Sequence, residues 1–113
     1  NYYSGPLPTR RRQEGWSDVE WMLRNWQHFR WLSGDHLLEQ SIHSIDKQSW
    51  AFGDAPPLSA VAVGGCQTRS GPEKGDTFDH FAIVYDYGEG RRAFANARQW
   101  PGAYGENNDY VWG

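Results

Sequence analysis

Between Phe78 and Gln99 the sequence alternates along two successive runs, and this alternation constrains the fold more than any other stretch. Phe81, Ile83, Tyr85 and Tyr87 point one way and His80, Ala82, Val84 and Asp86 the other, which is the period of two of a β-strand. Gly88-Glu89-Gly90 predicts a reversal onto Arg91 to Gln99, giving an antiparallel hairpin of residues 78–87 and 91–99. In the return strand Ala93, Ala95 and Ala97 line one face, with Arg92, Phe94, Asn96 and Arg98 on the opposite one. A strip of alanines lets a helix approach closely, so a helical layer is expected there.

The helix for that layer is predicted from Ser33 to Phe52, SGDHLLEQSIHSIDKQSWAF. Leu38, Ser41, Ile42, Ile45, Ser49 and Phe52 recur at spacings of three and four, as on one helical face. Asp35 or Ser33 serves as N-cap, and Gly53 followed by Asp54-Ala55-Pro56-Pro57 ends the segment, giving one continuous helix over about 35–52. Glu39, His43 and Trp50 fall on the other side, with His36 one turn before Glu39. Glu39 and His43, four apart, project together and form a candidate proton-transfer pair. On spacing alone such a pair is more often a solvated helix face worth ~0.3–0.5 kcal/mol. Metal ligation by His36, Glu39 and His43, with His80 as a remote ligand, is weaker still, because neither an HExxH motif nor a Cys pair is present.

Residues 1 to 15 read as an ordered arm beginning with a short aromatic strand tail and continuing through Gly5-Pro6-Leu7-Pro8. Ser17-Asp18-Val19-Glu20 is a capping box that predicts a short helix from Asp18 to Asn25. The run WQHFRWL, residues 26–32, has no clear period, and Gly34 then lets the chain turn, so that Trp26, His28 and Trp31 can fold back over Glu39 and His43. Leu58 to Thr68 is extended, with a bulge expected at Gly64-Gly65. Gly105 to Asn108 reads as a turn and Tyr110-Val111-Trp112 as a last strand. The fold class is therefore α+β, with helices at the N-terminal side packed on a mostly antiparallel open sheet of three or four strands.

The chain has 113 residues and a net charge of −3, so it is sized for one domain, or part of one, and shows no electrostatic footprint for nucleic acid or an anionic membrane. The Arg10-Arg11-Arg12 run is a solvated loop. Cys66 is the single cysteine, which rules out an intrachain disulfide and leaves the compartment undetermined; its Val-Gly-Gly setting predicts a packed thiol. No apolar run is long enough to span a membrane and the N-terminus does not read as a signal peptide, while the missing start methionine suggests a fragment. Trp residues at 16, 21, 26 and 31 recur every five, a step of about 140° on a helix, so they do not share one face. Aromatics of this kind favour half-buried pocket walls, including those around sugars.

Several separated motifs, taken together, resemble a known family. Gly15-Trp16-Ser17-Asp18, Trp21, Leu23-Arg24-Asn25-Trp26, Trp31-Leu32-Ser33-Gly34-Asp35-His36, Glu39-Gln40, His43, Asp46, Asp79-His80-Phe81-Ala82 and Arg98-Gln99 resemble the C-terminal, substrate-side domain of the Gfo/Idh/MocA oxidoreductases, from about Gly5 to Gly113. The resemblance implies a single partial domain over 1–113, for substrate binding and dimerisation, whose parent protein also carries a Rossmann domain. It implies NAD or NADP as cofactor, a sugar or polyol as substrate, and a homo-oligomer formed through the open sheet.

By the same resemblance His43 is the acid/base for the substrate hydroxyl and Glu39 orients substrate or imidazole. His36, Trp31, Arg24 and His80 are further substrate-binding candidates. The sequence departs from the family in having Glu at 39, where Asp is commoner, and Ser at 41, where His often stands. It also lacks a GxGxxG fingerprint and a Glu-Lys-Pro motif, so the fragment alone is expected to be inactive. A carbohydrate-binding or structural domain of the same fold, without chemistry, is the alternative.

Overall fold

The computed structural model describes residues 1–71 and 73–113. Five strands make one mixed sheet in the order β2-β3-β4-β1-β5, where β1 is Tyr2–Ser4, β2 Ser59–Gly65, β3 His80–Asp86, β4 Arg92–Gln99 and β5 Glu106–Asn107. The expected hairpin is its centre. β3 and β4 are antiparallel, with Phe81 opposite Ala97, Ile83 opposite Ala95 and Tyr85 opposite Ala93. Gly88, Glu89 and Gly90 all take positive φ to close it, and Asp86 Oδ1 accepts the Gly88 N–H at 2.8 Å.

β2 adds to β3 in unbroken antiparallel register from Ser59 to Gly65, so the bulge expected at Gly64-Gly65 is absent. The glycine is there for proximity: a Cβ on Gly64 would lie 2.8 Å from the Phe81 ring and 2.9 Å from the His80 carbonyl oxygen. At the other edge β1 runs parallel to β4 and antiparallel to β5. β5 occupies the segment expected to be a turn, whereas Tyr110 to Trp112 is not a strand. Its place is taken by side-chain contacts, the Tyr110 hydroxyl donating to Glu106 Oε1 at 2.6 Å and its ring stacking on Trp112.

The helices lie between β1 and β2 in sequence. α1 spans Asp18–Arg24 and starts where Ser17 Oγ accepts the Glu20 N–H; the Glu20 carboxylate turns to Arg24 instead of closing the reciprocal half of the box. Asn25, buried at its end, clamps the arm: its Oδ1 accepts the Arg10 N–H at 2.7 Å and its Nδ2 donates to the Arg10 and Trp21 carbonyls. A 3-10 turn at Trp26–His28 leads into α2, Arg30–Ser33, which Gly34 terminates with a φ of 71°.

The continuous helix expected over 35–52 is two. α3 is His36–Glu39 and α4 is Ile42–Ala51, with Gln40 distorted to φ −116° and the Ser41 N–H reaching back five residues to the His36 carbonyl. Tertiary ties explain the break. Asp35 fastens the start of α3 to Phe78, Gln40 reaches Gln99, and Phe52 stacks on Tyr87 with ring centroids 3.7 Å apart. Leu38, expected in the apolar face, is 58% exposed and lies along Gly34.

The helical layer covers the Phe81/Ile83/Tyr85/Tyr87 and Ala93/Ala95/Ala97 face, with His36 against Phe81 and Ala97 buried. Buried apolar side chains are few among the described residues, namely Trp21, Ile83, Tyr87 and Ala97, and the radius of gyration of 16.2 Å exceeds the roughly 13 Å of a rounded chain this long. Much of what is buried is polar.

Candidate functional site

The Asp79 carboxylate is fully buried where β3 begins. Its Oδ2 accepts backbone N–H groups from Gln67 at 2.8 Å and Thr68 at 2.7 Å, and the Thr68 hydroxyl at 3.1 Å. Its Oδ1 takes His80 Nδ1 at 2.8 Å and the Trp100 indole N–H at 3.1 Å. Burial pushes the Asp79 carboxyl up, but the bonds from His80, Thr68, Trp100 and Gln67 outweigh it and hold the group far below the usual carboxylate range. An ionised Asp79 fixes the proton of neutral His80 on Nδ1 and leaves Nε2 outward.

Beside this hub a hydrogen-bonded chain ties sheet to helices. Arg69 donates to Thr77 Oγ1 at 2.5 Å and to Gln99 Oε1, and Gln99 Nε2 donates to Gln40 Oε1 at 2.7 Å. Arg69 also lies 3.4 Å from His28 Nδ1, which must therefore present a lone pair, so His28 Nε2 carries the hydrogen and donates to the Pro8 carbonyl at 3.3 Å. Burial lowers the His28 pKa, the Pro8 bond opposes it, and Arg69 lowers it further.

His36 is buried under Phe81 with neither ring nitrogen hydrogen-bonded. Burial first, then the Arg69 charge, drop its pKa to about 4, so it is neutral at physiological pH. Asp35, its N-cap, has its carboxyl pushed up by burial against the pull of the Phe78 and His36 N–H groups. Glu39 is half-buried at the end of α3, and its Oε2 is enclosed without a hydrogen-bond partner. His43, on the first turn of α4, is exposed, and its imidazole has no hydrogen-bond partner among the described residues.

The six residues expected at the site therefore occupy different settings. Arg24 is paired with Glu20 at 2.9 Å and lies over the Trp16 ring, bordering a surface cleft of about 300 Å³ with Pro8, Thr9 and Trp26. Trp31 is exposed on α2. His28, expected to fold over Glu39 and His43, instead borders a second cleft of about 350 Å³ with Thr68, Arg69 and Lys74. His80 sits opposite Arg98 on the sheet face turned away from the helices, since Phe81, its neighbour, meets His36. No hydrogen bond, ion pair or ring contact joins any two of the six among the described residues. Cys66, expected to be packed, is exposed, because the strand ends at Gly65 and the thiol turns toward the Arg69 carbonyl.

The residues present do not fit a nicotinamide dinucleotide. The one parallel strand, β1, runs into the Gly5–Pro8 arm, not through a glycine-rich turn into a helix, so no backbone N–H cradle for a pyrophosphate follows it. No group of three or more His, Cys, Asp or Glu side chains converges as metal ligands, and no helix is long and apolar enough to cross a membrane, among the described residues.

Half-buried Arg69 and buried Thr77, Gln99 and Asn25 were given no role in the site by sequence reasoning, because they owe their roles to partners far along the chain. The signal for Asp79 was present: a charged pair, Asp79-His80, directly ahead of an alternating strand. No protein-family model matches the chain, and no curated protein matches it either.

Proposed function

We propose that the chain is the substrate-side part of an NAD(P)-dependent oxidoreductase acting on a sugar, a polyol or a derivative of one. The observation that carries this reading is Glu39, whose enclosed Oε2 is an acceptor without a donor, four residues before an exposed imidazole at His43. A substrate hydroxyl supplies the missing donor. A neutral imidazole can then take the proton of a hydroxyl. The helical layer over one face of an open sheet agrees with what the family resemblance implies. The cofactor would have to be held by another part of the protein, and no step on it is derived from these residues.

The test uses a protein that joins this chain to a dinucleotide-binding region, assayed with NAD(P) and a panel of sugars and polyols. His43→Ala is expected to lower kcat/KM by ~10²–10⁴-fold, and Glu39→Gln by less. Near-wild-type turnover in His43→Ala refutes the assignment. Sugar binding without cofactor reduction favours a binding domain instead, a reading supported by the exposed rings of Trp26, Trp31 and Trp50.

A further inference from the structure

We propose a second ligand site, on the sheet face opposite the helices, for a small organic carboxylate held between Arg98 and His80. It does not depend on the oxidoreductase reading, because Glu39 and His43 belong to the helical layer.

The strand registers place one row of residues straight across the sheet: Gly65, His80, Arg98, Tyr3 and Glu106. Gly65 leaves its place empty for its neighbour, since a Cβ there would come 3.3 Å from His80 Cε1 and 3.6 Å from Nε2. The imidazole is locked from below by Asp79 and flanked edge-on by Trp100 at 5.6 Å. Beside it the Arg98 guanidinium lies over two rings, Tyr3 at 4.7 Å and Trp100 at 5.2 Å. Rings on its faces leave the edges of the guanidinium for partners in its own plane, which is how Arg grips a carboxylate.

Those edges are little used. Arg98 donates one bond, from Nη2 to the Tyr104 carbonyl at 2.6 Å, and its Nε is enclosed without a partner, so the Nη1 edge is the one left for a ligand. No carboxylate pairs with it among the described residues, unlike Arg12, Arg24, Arg30, Arg91 and Arg92. Glu106, further along the row, is turned to Tyr110 and Asn1. Asp79 is committed to loop N–H groups, His80 and Trp100.

Two cation-forming side chains directly opposite each other on neighbouring strands repel when both are charged. An anion between them removes the repulsion and takes bonds from both, through the Arg98 edge and through the Nε2–H that His80 carries when its ring is protonated, its Nδ1–H staying on Asp79. The Tyr3 and Trp100 rings then offer apolar surface to the carbon frame of the same ligand. That combination selects a carboxylate on a small carbon skeleton over a neutral sugar.

The test is a titration followed by nitrogen-15 NMR, reading the Trp100 indole N–H and His80 Nε2, with glucuronate, glucose and inorganic phosphate as separate probes. Glucuronate is expected to shift both signals saturably, and glucose neither. Arg98→Met should weaken glucuronate binding roughly tenfold or more, the loss of one charge-assisted bond, with Arg98→Lys intermediate. If Arg98→Met does not fold, His80→Gln, read at the Trp100 indole N–H alone, carries the same expected loss. The proposal is overturned by no saturable shift with glucuronate, by an equal shift with glucose, or by affinity unchanged in the variants. Phosphate binding as tightly as glucuronate overturns the carboxylate assignment.

Discussion

Asp35 holds Phe78 across 43 residues of sequence, its Oδ2 accepting the Phe78 N–H at 2.9 Å while its Oδ1 accepts the His36 N–H at 2.7 Å. One carboxylate thus caps α3 and fastens it to the entry of β3. Asp35→Ala leaves both N–H groups without partners and is expected to cost about 1–3 kcal/mol in urea unfolding. Because Asp35 has a φ of 80°, Asp35→Gly should cost less than Asp35→Ala, as it loses the same bonds but relieves the backbone. Equal losses in the two variants would contradict the strain argument.

Stability should fall as pH drops below neutral. The unfolded chain protonates His36 near 6.5, whereas the folded chain holds off to about 4, so between those values the unfolded state binds more protons. The contribution over that window is about 3 kcal/mol. His28, also lowered, acts in the same direction. Asp79 loses its contribution only below its ordinary value of 3.8, and Asp35, raised by burial, opposes the trend by favouring the folded state as pH falls. Unfolding free energies measured from about pH 7 to about pH 4.5 should show the decline, and His36→Phe should flatten it.

Gly75→Ala should be among the most damaging single-methyl changes. A Cβ at Gly75 would lie 1.9 Å from the His28 carbonyl oxygen, and the residue has a φ of 71°. That oxygen accepts the Asp76 and Thr77 N–H groups, so it cannot withdraw without breaking them. A loss of about 3 kcal/mol or more is expected. A thermal midpoint within a degree or two of wild type would show that the loop has room to relax.

Asp79→Ala removes the shared acceptor of the Gln67 and Thr68 N–H groups, the His80 ring and the Trp100 indole. The expected loss is about 3–5 kcal/mol, with Asp79→Asn milder because one oxygen remains to accept. The Trp100 indole N–H is expected to be sharp and slow to exchange in the wild type and to broaden or exchange rapidly in both variants. An unchanged indole signal would place the hydrogen bond elsewhere.

How much of this was legible in the sequence follows the range of the interactions. The 78–99 hairpin was readable because a strand's period of two and a glycine-rich reversal are local, and the register agrees with the alanine strip. The α1 cap was readable for the same reason. The break at Gln40 was not, since it depends on a bond to Gln99, and helical periodicity between Asp35 and Phe52 carries no trace of that partner. β5 escaped notice because two residues of strand have no measurable period. At the site, the Glu39–His43 spacing was visible but not the enclosure of Glu39, and the Arg69–Gln99–Gln40 chain exists only once the fold has brought its members together.

The position of β1 between β4 and β5 has a kinetic consequence. The β3–β4 hairpin closes over a few residues and β2 joins it through one connection, so these contacts can form early. β1 instead must return from the opposite end of the chain to lie parallel to β4, and its closures onto β4 and β5 carry the largest entropic penalties of the pairings in the sheet. β5 meets the sheet only through β1, with Tyr2 opposite Asn107 and Tyr3 opposite Glu106. β1 and β5 therefore dock as a single late event, and a protein that has lost Tyr2–Ser4 behaves, at its far end, as though Glu106–Asn107 had been unlatched as well, with the Lys47–Asp109 ion pair left as the remaining tie.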